Sequence, residues 1–193
     1  LGDVYKRQGL SWDSLSSTAT NTPHSFDNDF DFIWNIVTDP SNDSMDVIYA
    51  ATYGSIYRSA DGGASWSKSI NGGNAYHNNV AITSNGVVYA TLSSDGSSSG
   101  RGIWRSDDGI NWTKINDAMF PPIYARIAIG INPLNENEIY FLAAETDGYG
   151  QHTDVFFGGE TWTSLWKYEY VSGNGTGSGG IWTDLSSNIP SNN

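Results

Sequence analysis

The chain has 193 residues, a formal net charge of −12 and no cysteine. A chain of this length can form a single domain with a substantial core. The acidic balance argues against nucleic-acid binding, since contact with phosphates needs a basic surface. The lack of cysteine excludes a disulfide framework and a thiolate metal site. No apolar stretch reaches the roughly 18 residues of a membrane-spanning helix, so we expect no membrane insertion.

The composition favours strands and turns over helices. The chain contains 8 Trp, 11 Tyr, 7 Phe and 22 Gly. Aromatic and β-branched side chains favour strands, and glycine, asparagine and aspartate favour the turns that join them. No amphipathic run of helical period exceeds about two turns. The sequence therefore predicts an all-β fold.

Both ends of the chain are expected to be cut. Residues 1–8 are interpreted as an adaptor-derived scar, because Asp3 to Gln8 resembles the translation of a transposon-end adaptor used for sequencing libraries. There is no initiator methionine, and residues 186–193 are interpreted as a truncated connection.

Two segments of the chain are near copies of each other. Ile56–Ser59 and Ile103–Ser106 each precede a turn and then a strand that begins with tryptophan. The turns read Asp61-Gly62-Gly63-Ala64-Ser65-Trp66 and Asp107-Asp108-Gly109-Ile110-Asn111-Trp112, both of the form D-x-G-x-[S/N]-W. The second hairpin is one residue shorter between its arginine and its tryptophan, so we expect it to be tighter.

The copies belong to units of four strands. Residues 32–70 and 79–115 form two such units, and residues 125–185 form a third, with an insertion and with the Gly-rich loop 172–180 in place of the aspartate turn. Residues 9–31 are interpreted as the last strand of a truncated unit plus a linker. The last strands carry Trp12, Trp66, Trp112 and Trp182, at spacings of 54, 46 and 70 residues. Propeller blades repeat every 40–50 residues or so, before insertions.

The D-x-G-x-[S/N]-W turn resembles the Asp-box, or bacterial neuraminidase repeat. This repeat occurs in sialidases, xyloglucanases, sortilin-type receptors and photosystem assembly factors, all of them β-propellers. The resemblance covers roughly residues 33–185. It implies a partial β-propeller of about three four-stranded antiparallel blades plus one stray outer strand. It also implies a secreted or cell-surface location, but it does not imply one function, because enzymes and binding proteins share the repeat.

The turn residues that recur in the two copies are predicted to be structural. In such a turn glycine adopts positive φ, the aspartate accepts backbone N–H bonds, and the tryptophan inserts between neighbouring sheets. We therefore expect the tryptophans to be heavily buried. The residues assigned this structural role are Asp61, Gly63, Trp66, Asp107, Gly109 and Trp112.

Function is expected on the opposite face, where the long segments between strands collect. The longest insertion, residues 146–157 of the long segment 145–164, combines aromatic, acidic and imidazole groups, a mixture that suits a sugar-binding site. The alternative is a self-packed loop whose phenylalanines cover the blade. The candidate ligand residues are Asp147, Tyr149, His152 and Asp154.

A calcium site is the one cofactor that the sequence suggests. Asp27, Asp29 and Asp31 stand at alternate positions, as at the start of a calcium loop. Phe32 stands where an EF-hand loop has glycine, so a solvated acidic loop is the alternative. The histidines form no ligand motif and are interpreted as ordinary loop residues; they are His24, His77 and His152.

Two classes of function follow. The first is a non-catalytic propeller module of a larger secreted or cell-surface bacterial protein. Such a module would pack against the remaining blades and domains of that protein and bind glycan or protein through the face opposite the Asp-box turns. The second is part of a glycoside hydrolase, sialidase- or xyloglucanase-like, whose catalytic residues would lie mostly outside this chain.

The second class needs groups that the sequence does not supply together. Most glycosidases use two carboxylates about 5 to 9.5 Å apart, and sialidases use a tyrosine nucleophile and an arginine triad. Outside residues 1–8 the arginines are Arg58, Arg101, Arg105 and Arg126. Arg58 and Arg105 are repeat-equivalent, so a triad within this chain is not expected. We assign no catalytic residue, and the enzymatic status of the parent protein stays open.

Overall fold

A computed structural model describes residues 15–18, 25–96, 98–153 and 161–191. The fold is all-β, with three antiparallel sheets. Sheet 1 contains β1 (Ile33–Thr38), β2 (Ile48–Thr52), β3 (Ser55–Ser59) and β4 (Ser67–Asn71). Sheet 2 contains β5 (Asn78–Ile82), β6 (Val88–Leu92), β7 (Gly102–Ser106) and β8 (Thr113–Lys114). Sheet 3 contains β9 (Ile127–Ile131), β10 (Glu138–Ala144), β11 (Gln151–Thr153), β12 (Thr161–Tyr170) and β13 (Gly180–Asp184).

The helical content consists of short 3₁₀ turns in the connections. They span Ser16–Thr18, Asp29–Asp31, Gly177–Gly179 and Ser186–Asn188. No helix in the described part of the chain is long and apolar enough to cross a membrane.

The strands of sheets 1 and 2 follow chain order, and in sheet 3 only β11 departs from it. Sheets 1 and 2 are four-stranded meanders, and sheet 3 has the order β9-β10-β12-β13. The prediction of three four-stranded antiparallel units is confirmed, and none of the sheets is closed. In sheet 3 the insertion adds a short fifth strand, because β11 pairs with the beginning of β12 through Gln151↔Thr163 and Thr153↔Thr161.

The first strands of the three sheets lie side by side. β1 contacts β5, and β5 contacts β9. The Asn35 side chain joins the first pair: its Nδ2 donates to the Val80 carbonyl at 2.8 Å, and its Oδ1 accepts from the Val80 N–H at 3.2 Å. This arrangement is consistent with three neighbouring blades of a partial propeller.

The hydrophobic core consists of two layers, one on each side of sheet 2. The alternation of side chains along β6 explains them, since Val88, Ala90 and Leu92 face sheet 1 while Tyr89 faces sheet 3. Every residue of β6 is therefore buried. The layer toward sheet 3 also contains Ile103, Ile127, Ile139, Phe141, Trp166 and Tyr168.

Two of the three described repeat tryptophans bond to the neighbouring sheet. Trp112 Nε1 donates to Ser69 Oγ of β4 at 2.8 Å, and Trp182 Nε1 donates to the Ile115 carbonyl at 2.9 Å. Trp66, Trp112 and Trp182 are all partly buried, and the latter two pack against the hydrophobic core. The last strands are the outermost ones, and part of each indole ring therefore reaches solvent.

The segment before sheet 1 is described only in part. Residues 1–8 and Trp12 lie outside the described residues. Leu15 and Leu185 each open a 3₁₀ turn, with N–H bonds from Thr18 to Leu15 and from Asn188 to Leu185 at 3.0 and 2.9 Å. In the sequence both leucines stand three residues after a repeat tryptophan, Trp12 or Trp182.

Candidate functional site

The first aspartate turn is held together by one carboxylate. Asp61 accepts from the Ser65 N–H at 2.8 Å, from Ser65 Oγ at 2.6 Å and from Ser59 Oγ at 2.7 Å. These hydrogen bonds lower the pKa of Asp61 to about 2, because they stabilise the charged form. The turn carboxylate is therefore used within the turn.

In the second turn the carboxylate that accepts the turn N–H groups belongs to Asp108 and not to Asp107. The structural role that the sequence assigned to Asp107 is therefore corrected. Asp108 accepts from the N–H groups of Ile110 and Asn111 at 2.8 and 2.7 Å, and these bonds hold its pKa well below the usual range. Asp107 instead pairs with Arg105 at 2.7 Å. The carboxylate that bonds the backbone is the second residue after the serine in both turns, Ser59 and Ser106.

The glycines of the turns have the predicted backbone conformation. Gly63 has φ +90° and Gly109 has φ +67°. The serine that precedes each turn accepts the glycine N–H, from Gly63 to Ser59 Oγ and from Gly109 to Ser106 Oγ, both at 2.8 Å. The two turns thus share one bonding pattern despite their different lengths.

A polar cavity of about 220 Å³ lies on the turn face between sheets 2 and 3. Its buried cation, Arg105, is 4% exposed; its guanidinium lies 4.0 Å from the centroid of the Tyr170 ring and pairs with Asp107. Glu136, also on its wall, accepts from the Ser84 N–H at 2.9 Å. Arg105, Asp107 and Glu136 all bond to groups of the protein itself. We therefore interpret this cavity as part of the packing between sheets 2 and 3 and not as a ligand site.

The insertion of sheet 3 is folded as a turn followed by a strand. Thr146 Oγ1 donates to the Tyr149 carbonyl at 2.7 Å, and Asp147 has φ +37°. Tyr149 is 44% exposed, whereas the ring of His152 packs on Trp162 at 5.5 Å and its Nε2 is buried. Asp154 lies outside the described residues. Ligand binding by Asp147, Tyr149, His152 and Asp154 stays a prediction.

The three aspartates of the proposed calcium loop have separate partners. Asp29 Oδ2 lies 2.9 Å from Lys68 Nζ and accepts from the Tyr57 hydroxyl at 3.0 Å. Asp31 accepts from the N–H groups of Asp27 and Asn28 at 2.6 and 3.0 Å. Within the described ranges no group of three or more His, Cys, Asp or Glu side chains is placed to hold a metal ion. Calcium binding by Asp27, Asp29 and Asp31 stays a prediction.

An aromatic cleft of about 330 Å³ lies on the face opposite the aspartate turns, where β1 and β5 begin and β2 ends. We call it the aromatic cleft throughout. Its lining residues come from three segments of sheets 1 and 2, and they are Phe26, Phe32, Trp34, Tyr53, Tyr76 and His77.

The rings of the aromatic cleft form one continuous series of contacts. Tyr76 stacks on Tyr53 at a centroid distance of 5.3 Å and an interplanar angle of 20°. Phe26 lies edge-on to Tyr53 at 4.8 Å, and His77 lies 4.9 Å from Trp34. Partial burial and the neighbouring Tyr76 hydroxyl raise the pKa of Tyr53, so its hydroxyl stays neutral and can both donate and accept.

The segment that carries Tyr76 and His77 is held by buried polar groups. Asn78, which is 1% exposed, donates through Nδ2 to the Thr52 carbonyl at 2.7 Å. The Gly54 N–H donates to the Ala75 carbonyl at 2.9 Å. These bonds tie the loop before β5 to the end of β2, so two walls of the aromatic cleft are fixed relative to each other.

Ionisable groups border the aromatic cleft at one end. His77 Nδ1 lies 2.6 Å from Asp95 Oδ2, and the Arg126 guanidinium lies 5.9 Å from the centroid of the Trp34 ring. Arg126 is exposed and forms no ion pair with a residue that the structure describes. The arrangement can therefore stack on a flat or apolar ligand surface and offer it a few polar contacts.

The aromatic cleft lies on the face that the sequence predicts for function, but outside the insertion that carries Asp147, Tyr149, His152 and Asp154. The lining residues lie just before or at the start of the first strand of a sheet, or just after the second strand. Because neighbouring strands are antiparallel, these positions are at the same end of the sheet. Their spacing shows no period, and His77 was expected to be an ordinary loop residue. The available signal was the number of aromatic residues in the segments next to these strand ends.

Comparison with protein-family models finds no match, and comparison with curated proteins finds no relative. The resemblance to the Asp-box repeat stays a prediction, and the interpretation of the aromatic cleft depends on its own geometry.

Proposed function

We propose that the chain is a non-catalytic, carbohydrate-binding propeller module of a larger secreted or cell-surface protein, and that the aromatic cleft holds the ligand. The observation that carries this proposal is the exposure of rings that line one concave surface. Phe26, Phe32 and Tyr76 are 51%, 53% and 39% exposed. Clustered exposed aromatic rings in a cavity of this volume are typical of small-ligand sites.

The chemistry of the lining suits a sugar ring. Aromatic faces bury the C–H surface of a pyranose, and the hydroxyl groups of Tyr53 and Tyr76 and the ring of His77 can hydrogen-bond to its rim. The net charge of −12 opposes a polyanionic ligand. A neutral oligosaccharide is therefore the ligand class that the aromatic cleft favours.

The hydrolase alternative lacks support at this position. A glycosidase of the common kind needs two carboxylates on either side of the scissile bond. Among the described residues that line the aromatic cleft there is no carboxylate. The nearest acidic partner of the lining is Asp95, which already accepts from the Tyr76 N–H at 3.1 Å and binds His77.

A binding experiment tests the proposal. Neutral oligosaccharides are screened on a glycan array, and the affinity of the best ligand is measured by isothermal titration calorimetry. Tyr76→Ala and Phe26→Ala should each weaken binding about tenfold, since each removes one stacking surface. Ile110→Ala, at a 64% exposed position on the turn face, is the matched control and should leave the affinity unchanged.

A further variant separates the aromatic cleft from the insertion of sheet 3. Tyr149→Ala removes the exposed ring of that insertion. If it abolishes binding while Tyr76→Ala and Phe26→Ala bind normally, the ligand site lies in the insertion and the proposal is wrong. Absence of binding to any neutral oligosaccharide would also contradict it.

A further inference from the structure

We infer that His77 is the residue of the aromatic cleft that selects a ligand hydroxyl, and that Asp95 positions it by determining which ring nitrogen carries the proton. This inference rests on the proposed function, because it names the polar contact that a bound sugar makes. Its residues differ from the candidate ligand residues of the insertion, which are Asp147, Tyr149, His152 and Asp154.

The distance between His77 and Asp95 determines the tautomer. Nδ1 of His77 lies 2.6 Å from Oδ2 of Asp95. A carboxylate only accepts, so Nδ1 must carry the proton, and in the neutral ring the lone pair then lies on Nε2. No described residue bonds to Nε2, and the side chain is 35% exposed toward the aromatic cleft. The atom offered to a ligand is therefore an acceptor.

Asp95 is itself held in one orientation. Its Oδ1 accepts from the Tyr76 N–H at 3.1 Å and from the Ser93 hydroxyl, and Ser93 Oγ accepts the His77 N–H at 3.0 Å. The next residue, Gly96, has φ +68°, and a Cβ there would lie 2.2 Å from the Asn74 carbonyl oxygen. The carboxylate thus bonds both the backbone of Tyr76 and the ring of His77, unlike a mobile surface ion pair.

The position of His77 gives this acceptor a defined partner. Its ring lies 4.9 Å from the Trp34 ring, so a sugar stacked in the aromatic cleft beside Trp34 would present its rim to His77. A ring hydroxyl can donate to Nε2, whereas a fluorine at the same place cannot. The site should therefore discriminate against a ligand that lacks the donor, since the imidazole acceptor would be left unpaired.

Asp95→Asn reverses the polarity of this contact with little change of shape. The amide Nδ2 donates to Nδ1 of His77, and the proton of the neutral imidazole moves to Nε2. The group that faces the ligand then donates. A merely structural role of Asp95 would not change the tautomer.

The first test needs no ligand. Long-range ¹H–¹⁵N correlation spectra of the ¹⁵N-labelled chain should show the Nδ1–H tautomer of His77 in the unmodified protein and the Nε2–H tautomer in Asp95→Asn. Diethyl pyrocarbonate should acylate His77 at Nε2 faster than His152, whose Nε2 is buried. An Nε2–H tautomer in the unmodified chain, or an unreactive His77, would overturn the inference.

The second test uses methyl glycosides of glucose, galactose, mannose and xylose as probes, with NMR titration as the measurement. For the tightest probe, analogues with one hydroxyl replaced by fluorine should include one that binds about tenfold more weakly. His77→Phe should bind the parent glycoside about tenfold more weakly than the unmodified chain does. It should bind the fluorinated analogue no more weakly than the parent glycoside. In Asp95→Asn the difference in affinity between the parent glycoside and the fluorinated analogue should be smaller, because the Nε2–H group of His77 can face the fluorine.

The outcomes separate the two proposals. If no glycoside and no oligosaccharide of the array binds, the proposed function fails and the inference fails with it. If the glycoside binds to the unmodified chain and to His77→Phe with equal affinity, and Tyr76→Ala still weakens it, the proposed function holds and the inference alone is wrong.

Discussion

Asp107 and Asp108 are adjacent, yet their carboxylates have different partners. Asp108 accepts backbone N–H groups within the turn, whereas Asp107 pairs with the buried Arg105 of β7. Counted from the tryptophan, Asp107 matches Asp61; counted from the preceding serine, Asp108 does. The second turn is therefore one residue shorter on the C-terminal side of its aspartate. The hydrogen bonds reveal this difference, whereas alignment of the two sequence motifs does not.

Asp108→Ala should lower the free energy of unfolding by about 1 kcal/mol at neutral pH, since it leaves turn N–H groups to be satisfied by water. The measurement is urea denaturation. Asp43→Ala is the control: Asp43 is exposed and has no hydrogen bond or ion pair with a described residue, and its removal should change stability by less than about 0.5 kcal/mol. Equal stability of the two variants would contradict the bonding pattern.

The difference between the unmodified chain and Asp108→Ala should depend on pH. The pKa of Asp108 is lowered in the folded state by its hydrogen bonds, so its contribution is fully present above the unfolded pKa of about 3.9. The contribution is lost as the pH falls through the lowered folded pKa. Urea denaturation below about pH 4 should therefore show the difference shrinking, and growth of the difference toward acid would refute the assignment.

At the scale of elements, the aspartate turns do more than connect strands. The second turn packs on sheet 1, where Ser69 Oγ of β4 donates to the Gly109 carbonyl at 2.5 Å. A Cβ on Gly109 would lie 1.8 Å from the Tyr49 hydroxyl oxygen of β2. This glycine is thus required by its positive φ and also by the close approach of the neighbouring sheet.

Gly109→Ala compared with Gly148→Ala separates these two requirements. Both glycines have positive φ, +67° and +82°, but a Cβ on Gly148 would meet nothing within 4 Å. We expect Gly148→Ala to cost about 1 kcal/mol through backbone strain, and Gly109→Ala to cost about 1 to 3 kcal/mol more through overpacking. Thermal and urea denaturation measure both. Equal costs would show that the turn does not press on Tyr49.

At the scale of the whole molecule, the sheets repeat one stacking relation. Tyr49 and Ala51 of sheet 1 are buried toward sheet 2, and Tyr89 and Thr91 of sheet 2 are buried toward sheet 3. The corresponding pair of sheet 3 is Tyr140 and Leu142, on the side of β10 that faces away from sheet 2. Tyr140 is half-buried and Leu142 is 44% exposed.

The opposite end of the stack is covered differently. The ring of Phe30 packs on Tyr57 at 4.6 Å and on Trp66 at 5.3 Å, and Ser17 Oγ donates to the Gly63 carbonyl at 2.6 Å. Among the described residues, 15–18 and 25–31 therefore shield part of sheet 1, whereas Leu142 on the outer side of sheet 3 is 44% exposed.

This chain should self-associate through the outer side of sheet 3, because Leu142 and its cross-strand partner Leu165 leave apolar surface in water beside the Lys167–Glu138 ion pair. Sedimentation velocity at several concentrations is the measurement. Leu142→Lys should reduce association, whereas Leu134→Lys, at a 96% exposed turn position, should not. A chain that is monomeric at all concentrations, or equally associated in both variants, would contradict the expectation.

Local chemistry allowed the sequence to predict much of the fold. The alternation of apolar residues identified the strands of the three sheets, and the aspartate turns revealed the repeat, because a hairpin and its hydrogen bonds involve residues close in the chain. The same locality explains why the positive φ of Gly63 and Gly109 could be predicted. The assignment of Asp107 was wrong because a one-residue difference in turn length is ambiguous without the hydrogen bonds.

The sequence by itself determined an all-β chain of three repeated antiparallel sheets and the face on which long segments gather. Only the tertiary structure formed the aromatic cleft, since Phe26, Trp34 and Tyr53 must meet Tyr76 and His77 at the edge of sheet 2. The physical reason is that strand periodicity comes from the backbone, whereas a cleft depends on side-chain packing between loops distant in sequence, which no local pattern encodes.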